Sequence, residues 1–161
     1  MAKVLGFPRT VNEKAARTVA AGVLAIALLT VATGWFWLTI PLAYGFWARV
    51  LTGPTLSPLG QLATRVVAPR LGAPQTVPGP PKRFAQAMGL VMSTTALVLA
   101  LPLGLQTAAA VVLLVLAAAA SLEAFAGVCL GCEIFRVLMR AGVVPETVCL
   151  ECSDIWARGR A

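Results

Sequence analysis

The sequence predicts an all-α membrane protein with four transmembrane helices arranged as two hairpins. Hydrophobic residues make up 59% of the 161 residues and charged residues only 12%, with a mean hydropathy of +0.87. Soluble domains carry roughly 25% charged and about 45–50% apolar residues. No charged side chain occurs in the 31 residues between Arg17 and Arg49, nor in the 39 between Arg83 and Glu123. We expect the chain to cross the bilayer in these two stretches.

The first charge-free stretch is predicted to form spans over about residues 17–33 and 35–51. Gly34 divides it and is followed by the aromatic cluster Trp35-Phe36-Trp37, which is typical of the headgroup level. A single tilted helix would instead leave five basic residues on the outer side, against the positive-inside rule: Arg49, Arg65, Arg70, Lys82 and Arg83. The pattern of charges therefore favours two spans here.

The second stretch is predicted to form spans over about residues 84–101 and 105–125, divided at Pro102-Leu103-Gly104. A helix needs about 20 residues to cross the hydrocarbon core. Four spans put all thirteen Lys and Arg residues on one side, so both termini are expected in the cytoplasm. The chain then divides into a membrane domain over residues 1–127 and a cytosolic tail over residues 128–161.

The cytosolic connection over residues 52–83 is predicted to contain one short helix. Prolines and glycines at its two ends, Gly53-Pro54 and Pro78-Gly79-Pro80-Pro81, are expected to exclude helix there. Ser57 and Pro58 are typical N-cap and N1 residues. Apolar residues follow at helical spacing: Leu59, Leu62, Val66 and Val67. This pattern indicates an amphipathic helix over Pro58–Ala68 that lies on the inner leaflet, with an irregular loop as the alternative.

The composition excludes several classes of function. The chain has no histidine, so it has no Ser-His-Asp triad and no histidine metal ligand. Its net charge of +7 does not indicate nucleic-acid binding, because the basic residues flank hydrophobic spans and no nucleic-acid motif accompanies them.

The four cysteines form two matched pairs near the C-terminus. Cys129-Leu130-Gly131-Cys132 is followed, after sixteen residues, by Cys149-Leu150-Glu151-Cys152. This spacing is that of a four-thiolate zinc site, in which each pair contributes two ligands to one tetrahedral ion. An iron–sulfur cluster uses the same ligands and is the less favoured metal. One prediction is therefore a metal held by Cys129, Cys132, Cys149 and Cys152.

The same pairs also fit thiol chemistry. A reducing cytosol disfavours a permanent disulfide. A C-x-x-C pair near a helix N-terminus or near cations can instead act as a dithiol/disulfide couple. Cys129 and Cys132 would then be the redox couple, and Cys149 and Cys152 would resolve it by thiol–disulfide exchange. This hypothesis needs no cofactor, and the residues alone leave open whether the protein is an enzyme.

Glu123 is the one acidic residue that the predicted fourth span contains. A carboxylate in a span is costly and therefore suggests a function, here proton handling. The alternative is that Glu123, near the interface, reaches headgroup water or pairs with a cytosolic Arg.

Several segments resemble a family of small bacterial membrane proteins known as domain of unknown function 4395. They are Ser57-Pro58-Leu59, Pro81-Lys82-Arg83-Phe84-Ala85-Gln86, Leu122-Glu123-Ala124-Phe125 and the Cys-Leu-Gly-Cys motif at Cys129–Cys132. The resemblance extends over roughly Val11 to Arg140. It implies a four-helix protein of the bacterial inner membrane, and a thioredoxin-like or sulfurtransferase protein as a partner.

This resemblance favours a membrane-anchored thiol-redox or sulfur-relay accessory protein. A non-enzymatic membrane subunit with a structural four-cysteine metal site is the alternative. The expected partners are the lipid bilayer and the thiol or sulfur protein, with assembly into an oligomer or a larger membrane complex left open.

Overall fold

The computed structural model describes residues 8–148, and within them the chain is all-α, as predicted. Six helices follow one another. They are α1 Glu13–Thr33, α2 Thr39–Thr52, α3 over residues 58–70, α4 Gly79–Ala100, α5 Gln106–Ser121 and α6 Leu130–Arg140. Two three-residue strands, β1 Thr10–Asn12 and β2 Thr76–Pro78, pair antiparallel beside the starts of α1 and α4.

Three helices in the described part of the chain are long and apolar enough to cross a membrane. They are α1, α4 and α5, the last extended by a π-helical turn to Ala126. The expectation of four such spans is wrong, because α2 has only 14 residues. That length is about 21 Å, short of the roughly 30 Å hydrocarbon core. After the left-handed Gly34, at φ 69°, the first residues of the predicted span form Trp35 and the 3-10 turn Phe36–Leu38 instead of α-helix.

Short as it is, α2 runs antiparallel to α4 and returns the chain toward the end where α1 and α4 begin. The ring of Phe46 lies on Gly89, where a Cβ would be only 2.2 Å from the ring atom Cε1. One turn later, Arg49 Nε donates a hydrogen bond of 2.8 Å to Gln86 Oε1. Gly89 therefore permits the close approach of the two helices.

The predicted helix after Pro58 is present, and it extends two residues further, to Arg70. Ser57 caps it, accepting a hydrogen bond of 3.1 Å from the Gly60 amide. α3 consists of Pro58–Leu62, a π-helical turn Ala63–Val67 and Ala68–Arg70.

The packing of α3 differs from its predicted amphipathic pattern. Its buried face carries small residues, Ala63 and Ala68, whereas Leu62 and Val66 are exposed. Of the predicted apolar stripe, Leu59 packs on α1 at Gly22, where a Cβ would lie 2.6 Å from Leu59 Cδ1. The packed face of α3 carries small side chains because they allow its backbone to lie close to that of α1.

The prediction that Pro78–Pro81 exclude helix is wrong. α4 begins at Gly79, and Pro80 and Pro81 occupy its first turn. First-turn amides have no intrahelical acceptor, so proline loses nothing there. Lys82 and Arg83 consequently belong to α4 rather than to the loop.

The helices leave one charged and one uncharged end of the bundle. The first turns of α1 and α4 and the last turns of α2 and α5 form what we term the charged end, which holds Arg17, Arg49, Lys82 and Glu123. The connections at the other end, residues 34–38 and 101–105, contain no charged residue. Between them, α4 packs against α2 and α5, and α1 packs against α5. The core is built largely of alanine, and Leu113 is its largest fully buried side chain.

Candidate functional site: a cysteine pair at the charged end

The first cysteine pair lies where the chain leaves α5. The π-helical turn Leu122–Ala126 ends at Gly127, whose φ of 69° is left-handed and favours glycine. Cys129 then adopts an extended conformation as the N-cap of α6, which begins at Leu130. Cys129 is buried and Cys132 is half-buried. The motif therefore places both thiols in the first turn of an amphipathic helix.

The two thiols are in direct contact. Cys132 Sγ lies 2.7 Å from Cys129 Sγ, and both residues are free cysteines. A disulfide requires an S–S distance of about 2.03–2.05 Å. A sub-ångström movement of the side chains would therefore bring the sulfurs to bonding distance.

The two thiols are electrostatically unequal. The pKa of Cys129 is lowered, chiefly because the Cys132 thiol donates a hydrogen bond to its sulfur, with the positive charge of Lys82 acting in the same direction; burial and the Glu123 carboxylate oppose the shift. The pKa of Cys132 is raised, because its proton is held in that hydrogen bond and because the thiol is desolvated. At a helix N-terminus the dipole also favours a thiolate. The directions of the two shifts therefore favour the thiolate form at Cys129 rather than at Cys132.

Close contact with α4 holds the cysteine turn in position. A Cβ at Gly131 would lie 2.5 Å from Ala85 Cα, so the glycine between the cysteines lets α6 touch the backbone of α4. One turn further along α6, the ring of Phe135 packs on Phe84 with centroids 5.7 Å apart. Gly131, the glycine of the Cys-Leu-Gly-Cys motif, is therefore needed for the packing of α6 on α4.

Beneath the cysteines, α4 and α5 are joined by a buried ion pair. Lys82 Nζ lies 2.6 Å from Glu123 Oε1, and the two side chains are 9% and 15% exposed. Lys82 precedes Ala85 by three residues, so it lies on the same face of α4 as the contact with Gly131. Glu123, predicted as a proton-handling residue, is thus the partner of Lys82. Its role in proton transfer stays a prediction.

Arg17 completes the support from α1. Its Nε donates to the Ala124 carbonyl at 3.1 Å and its Nη2 to the Phe125 carbonyl at 3.0 Å. These carbonyls belong to the last turn of the π-helical segment, where the helix provides no further backbone N–H groups to bond them. Arg17 therefore caps the end of the span that leads into the cysteine turn.

A second polar cluster lies at the same end, away from the cysteines. Arg49 is only 5% exposed. It donates to Gln86 Oε1 and, at 3.1 Å, to Ser57 Oγ, and its guanidinium lies 4.4 Å from the ring centroid of Phe46. Its Nη2 is buried and has no hydrogen-bond partner within residues 8–148. Arg49 thereby ties α2, α3 and α4 together.

The predicted second pair, Cys149 and Cys152, lies outside the described residues. Within residues 8–148, no group of three or more Cys, Asp or Glu side chains is arranged to hold a metal ion. The structure thus brings Cys129, Cys132 and Glu123 to one end of the bundle, while the four-cysteine metal site stays a prediction.

Three apolar helices long enough to cross a bilayer, with a thiol pair at one end of the bundle, define a multi-pass membrane protein. Residues 11–140 match the model of the family described as domain of unknown function DUF4395, and the chain belongs to this family. The matched region contains Cys129 and Cys132 and ends before Cys149. No curated protein and no solved structure matches the chain significantly.

Sequence reasoning missed Lys82, Arg17 and Arg49 as parts of this arrangement, because it treated basic residues as flanks of the spans. For Lys82, however, the sequence did contain an indication. Glu123 is a lone carboxylate in an apolar run, and such a group needs a cationic partner. Nothing in the spacing pointed to Arg49 and Gln86.

Removal of one member of the Lys82–Glu123 pair should be strongly destabilising. We expect K82M and E123L each to cost about 3–5 kcal/mol, because each leaves a buried charge without its partner. The double variant should lose much less than the sum, since no buried charge remains. Unfolding of the detergent-solubilised protein measures all three. In the exposed pair Arg136–Glu133, E133Q should change stability by about 1 kcal/mol or less. Additive losses in the double variant would contradict this account.

Proposed function

We propose that this protein is a membrane-anchored thiol-redox or sulfur-relay accessory protein in which Cys129 and Cys132 form a cytosol-facing dithiol couple. The proposal rests on one observation above all, the contact of two unequal thiols at the N-terminus of α6. A nucleophilic thiolate beside a thiol that still carries its proton is the arrangement required for thiol–disulfide exchange.

The redox step exchanges one disulfide for another. The Cys129 thiolate attacks a disulfide of a thioredoxin-like partner, forming a mixed disulfide and releasing one partner thiolate. Cys132 then gives up its proton and attacks Cys129 Sγ, which releases the second partner thiolate. Two electrons pass to the partner, and the Cys129–Cys132 disulfide forms. A reduced thiol protein regenerates the dithiol by the reverse exchange.

Sulfur relay uses the same nucleophile. The Cys129 thiolate attacks the terminal sulfur of a sulfurtransferase persulfide, so Cys129 becomes the persulfide and the donor leaves as a thiolate. Attack by an acceptor thiolate on that terminal sulfur passes the sulfur on and restores Cys129. This route leaves Cys132 reduced, and so it is distinguished from the redox route by the state of Cys132.

The proposal includes an orientation of the charged end toward the cytoplasm of a bacterial inner membrane. The positive-inside rule supports it, since the basic residues flank the spans on this side. In this arrangement α2, although too short to cross the hydrocarbon core, returns the chain to the charged end.

A membrane-impermeant thiol reagent tests this orientation. Added to intact cells, it should leave Cys129 and Cys132 unmodified, and it should label them in inverted membrane vesicles. Labelling from outside the cell would reverse the orientation.

The alternative is a non-enzymatic membrane subunit in which zinc, or less favourably an iron–sulfur cluster, is held by the two cysteine pairs. The adjacent sulfurs of Cys129 and Cys132 support it to the extent that they supply two ligands from one turn. Zinc in the gently purified full-length protein, near one equivalent per chain and lost from a C149S/C152S variant, would favour this alternative over the dithiol.

Alkylation kinetics test the inequality of the thiols. In full-length C149S/C152S protein, we expect iodoacetamide to modify Cys129 near neutral pH at least about tenfold faster than Cys132, because each unit of pKa difference changes the thiolate fraction about tenfold. Since the pKa of Cys129 is lowered, its rate should reach a plateau below the pH at which an ordinary thiol does. Peptide mass spectrometry reads both sites.

A matched variant controls for accessibility. C132A removes the donated hydrogen bond while leaving Cys129 in place, so the rate profile of Cys129 should shift to higher pH. Equal rates for the two cysteines, or an unchanged Cys129 profile in C132A, would argue against an asymmetric couple.

A further inference from the structure

Helix α6 has three distinct faces. Gly131 and Phe135 form the buried face that packs on α4. A charged face carries Glu133 and Arg136, which pair with each other. Between them lies an exposed apolar stripe, in which Leu130, Ile134 and Val137 are 41%, 41% and 60% exposed. Among residues 8–148, neither the bundle nor the cysteine site covers this stripe.

Further exposed apolar residues precede the stripe in the chain, at the end of the α5 span. Leu122 and Phe125, on the last turn of that span, are exposed, Phe125 to 75%, and Val128 between the helices is exposed as well. Only Gly127, Val128 and Cys129 separate the span from α6. Three residues extend at most about 10 Å. The headgroup layer on one side of a bilayer is about 5–8 Å thick, so α6 begins inside or beside that layer.

Packing against α4 fixes the same depth. Gly131 touches Ala85, which lies at the start of the apolar run of α4. The first turn of α6 therefore lies level with the first apolar turn of a membrane-crossing helix. A helix held there exposes its outer face to lipid headgroups and acyl chains rather than to open water.

The charge of this end of the bundle favours an anionic membrane surface. Between Pro8 and Val148 the sequence contains ten Lys or Arg and four Asp or Glu, a difference of +6, and these residues lie outside the two charge-free stretches. Basic residues next to membrane spans are attracted to anionic lipids.

We infer that α6 is an interfacial helix, with Leu130, Ile134 and Val137 inserted between the lipids of the leaflet at the charged end. The occupant of the stripe is therefore the bilayer that the spans already cross. Such a helix combines an apolar face with a charged one, as interfacial helices do. This placement holds Cys129 and Cys132 at headgroup depth, so a partner has to approach them along the membrane surface. The inference does not depend on the redox state of the cysteines.

Site-specific photocrosslinking tests the inference in full-length protein with its cysteines retained. Benzoylphenylalanine replaces Ile134 or Val137, and the protein is reconstituted in vesicles of phosphatidylethanolamine and phosphatidylglycerol. We expect lipid adducts at both positions, several-fold more abundant than at Glu133, the matched position on the charged face. Intact mass spectrometry identifies the adducts. Leu130, in the same stripe, provides a second probe position if one variant fails to insert.

Other occupants give different products. Crosslinks from residue 134 or 137 to the segment 149–161, to a second copy of the chain or to an added thioredoxin-like protein, with lipid adducts no more frequent than at residue 133, would overturn the inference. None of these readouts measures thiol chemistry, so the outcome is independent of the proposed function.

Discussion

The ion pair between Lys82 and Glu123 is the constraint on which the candidate site depends. The two charges come from the first turn of α4 and the end of the α5 span, and they meet at 2.6 Å with little exposure to water. An unpaired charge at this depth would be costly, so the two helices are held in one register. Arg17 fixes the carbonyls that follow Glu123, and Gly127 then turns the chain. The position of Cys129 follows from these contacts.

The same pair links the membrane bundle to the chemistry of the thiols. The charge of Lys82 favours the Cys129 thiolate, while the charge of Glu123 opposes it. Because both groups are held in place, their combined effect is set by the fold and not by the motion of a surface side chain. Gly131 affects the thiols in a different way. Because it has no side chain, the cysteine turn approaches α4 closely and lies near the charges of Lys82 and Glu123.

The sequence predicted the features that depend on composition and local pattern. These include the all-α membrane class, the turns at Gly34 and near Pro102, the Ser57 cap, and the family. The prediction of a fourth long span was wrong because the hydropathy of a segment does not show where its helix begins. Gly34 and the aromatic turn shorten α2. The proline segment before α4 was misread because the first turn of a helix tolerates proline.

The sequence pattern could not predict which side chains pair across the bundle. Arg49 with Gln86, and Arg17 with the Ala124 carbonyl, join residues far apart in the chain, and neither pair follows a spacing rule. The sequence pattern predicted the larger apolar side chains on the packed face of α3, whereas that face carries the alanines Ala63 and Ala68. The cysteine motif itself was evident from the sequence, but the inequality of its two thiols depends chiefly on the hydrogen bond between them, and that contact needed the fold.

The central claim is that Cys129 and Cys132 form a reversible dithiol couple, and a redox titration tests it most directly. Full-length protein in nanodiscs is equilibrated in glutathione buffers of graded potential, quenched with acid, and mapped by peptide mass spectrometry. The account predicts a reversible two-electron transition in which a Cys129–Cys132 disulfide forms and is reduced again, with the same midpoint in C149S/C152S protein. Cys129 and Cys132 that stay reduced across the whole range, in protein that carries bound metal, would contradict it.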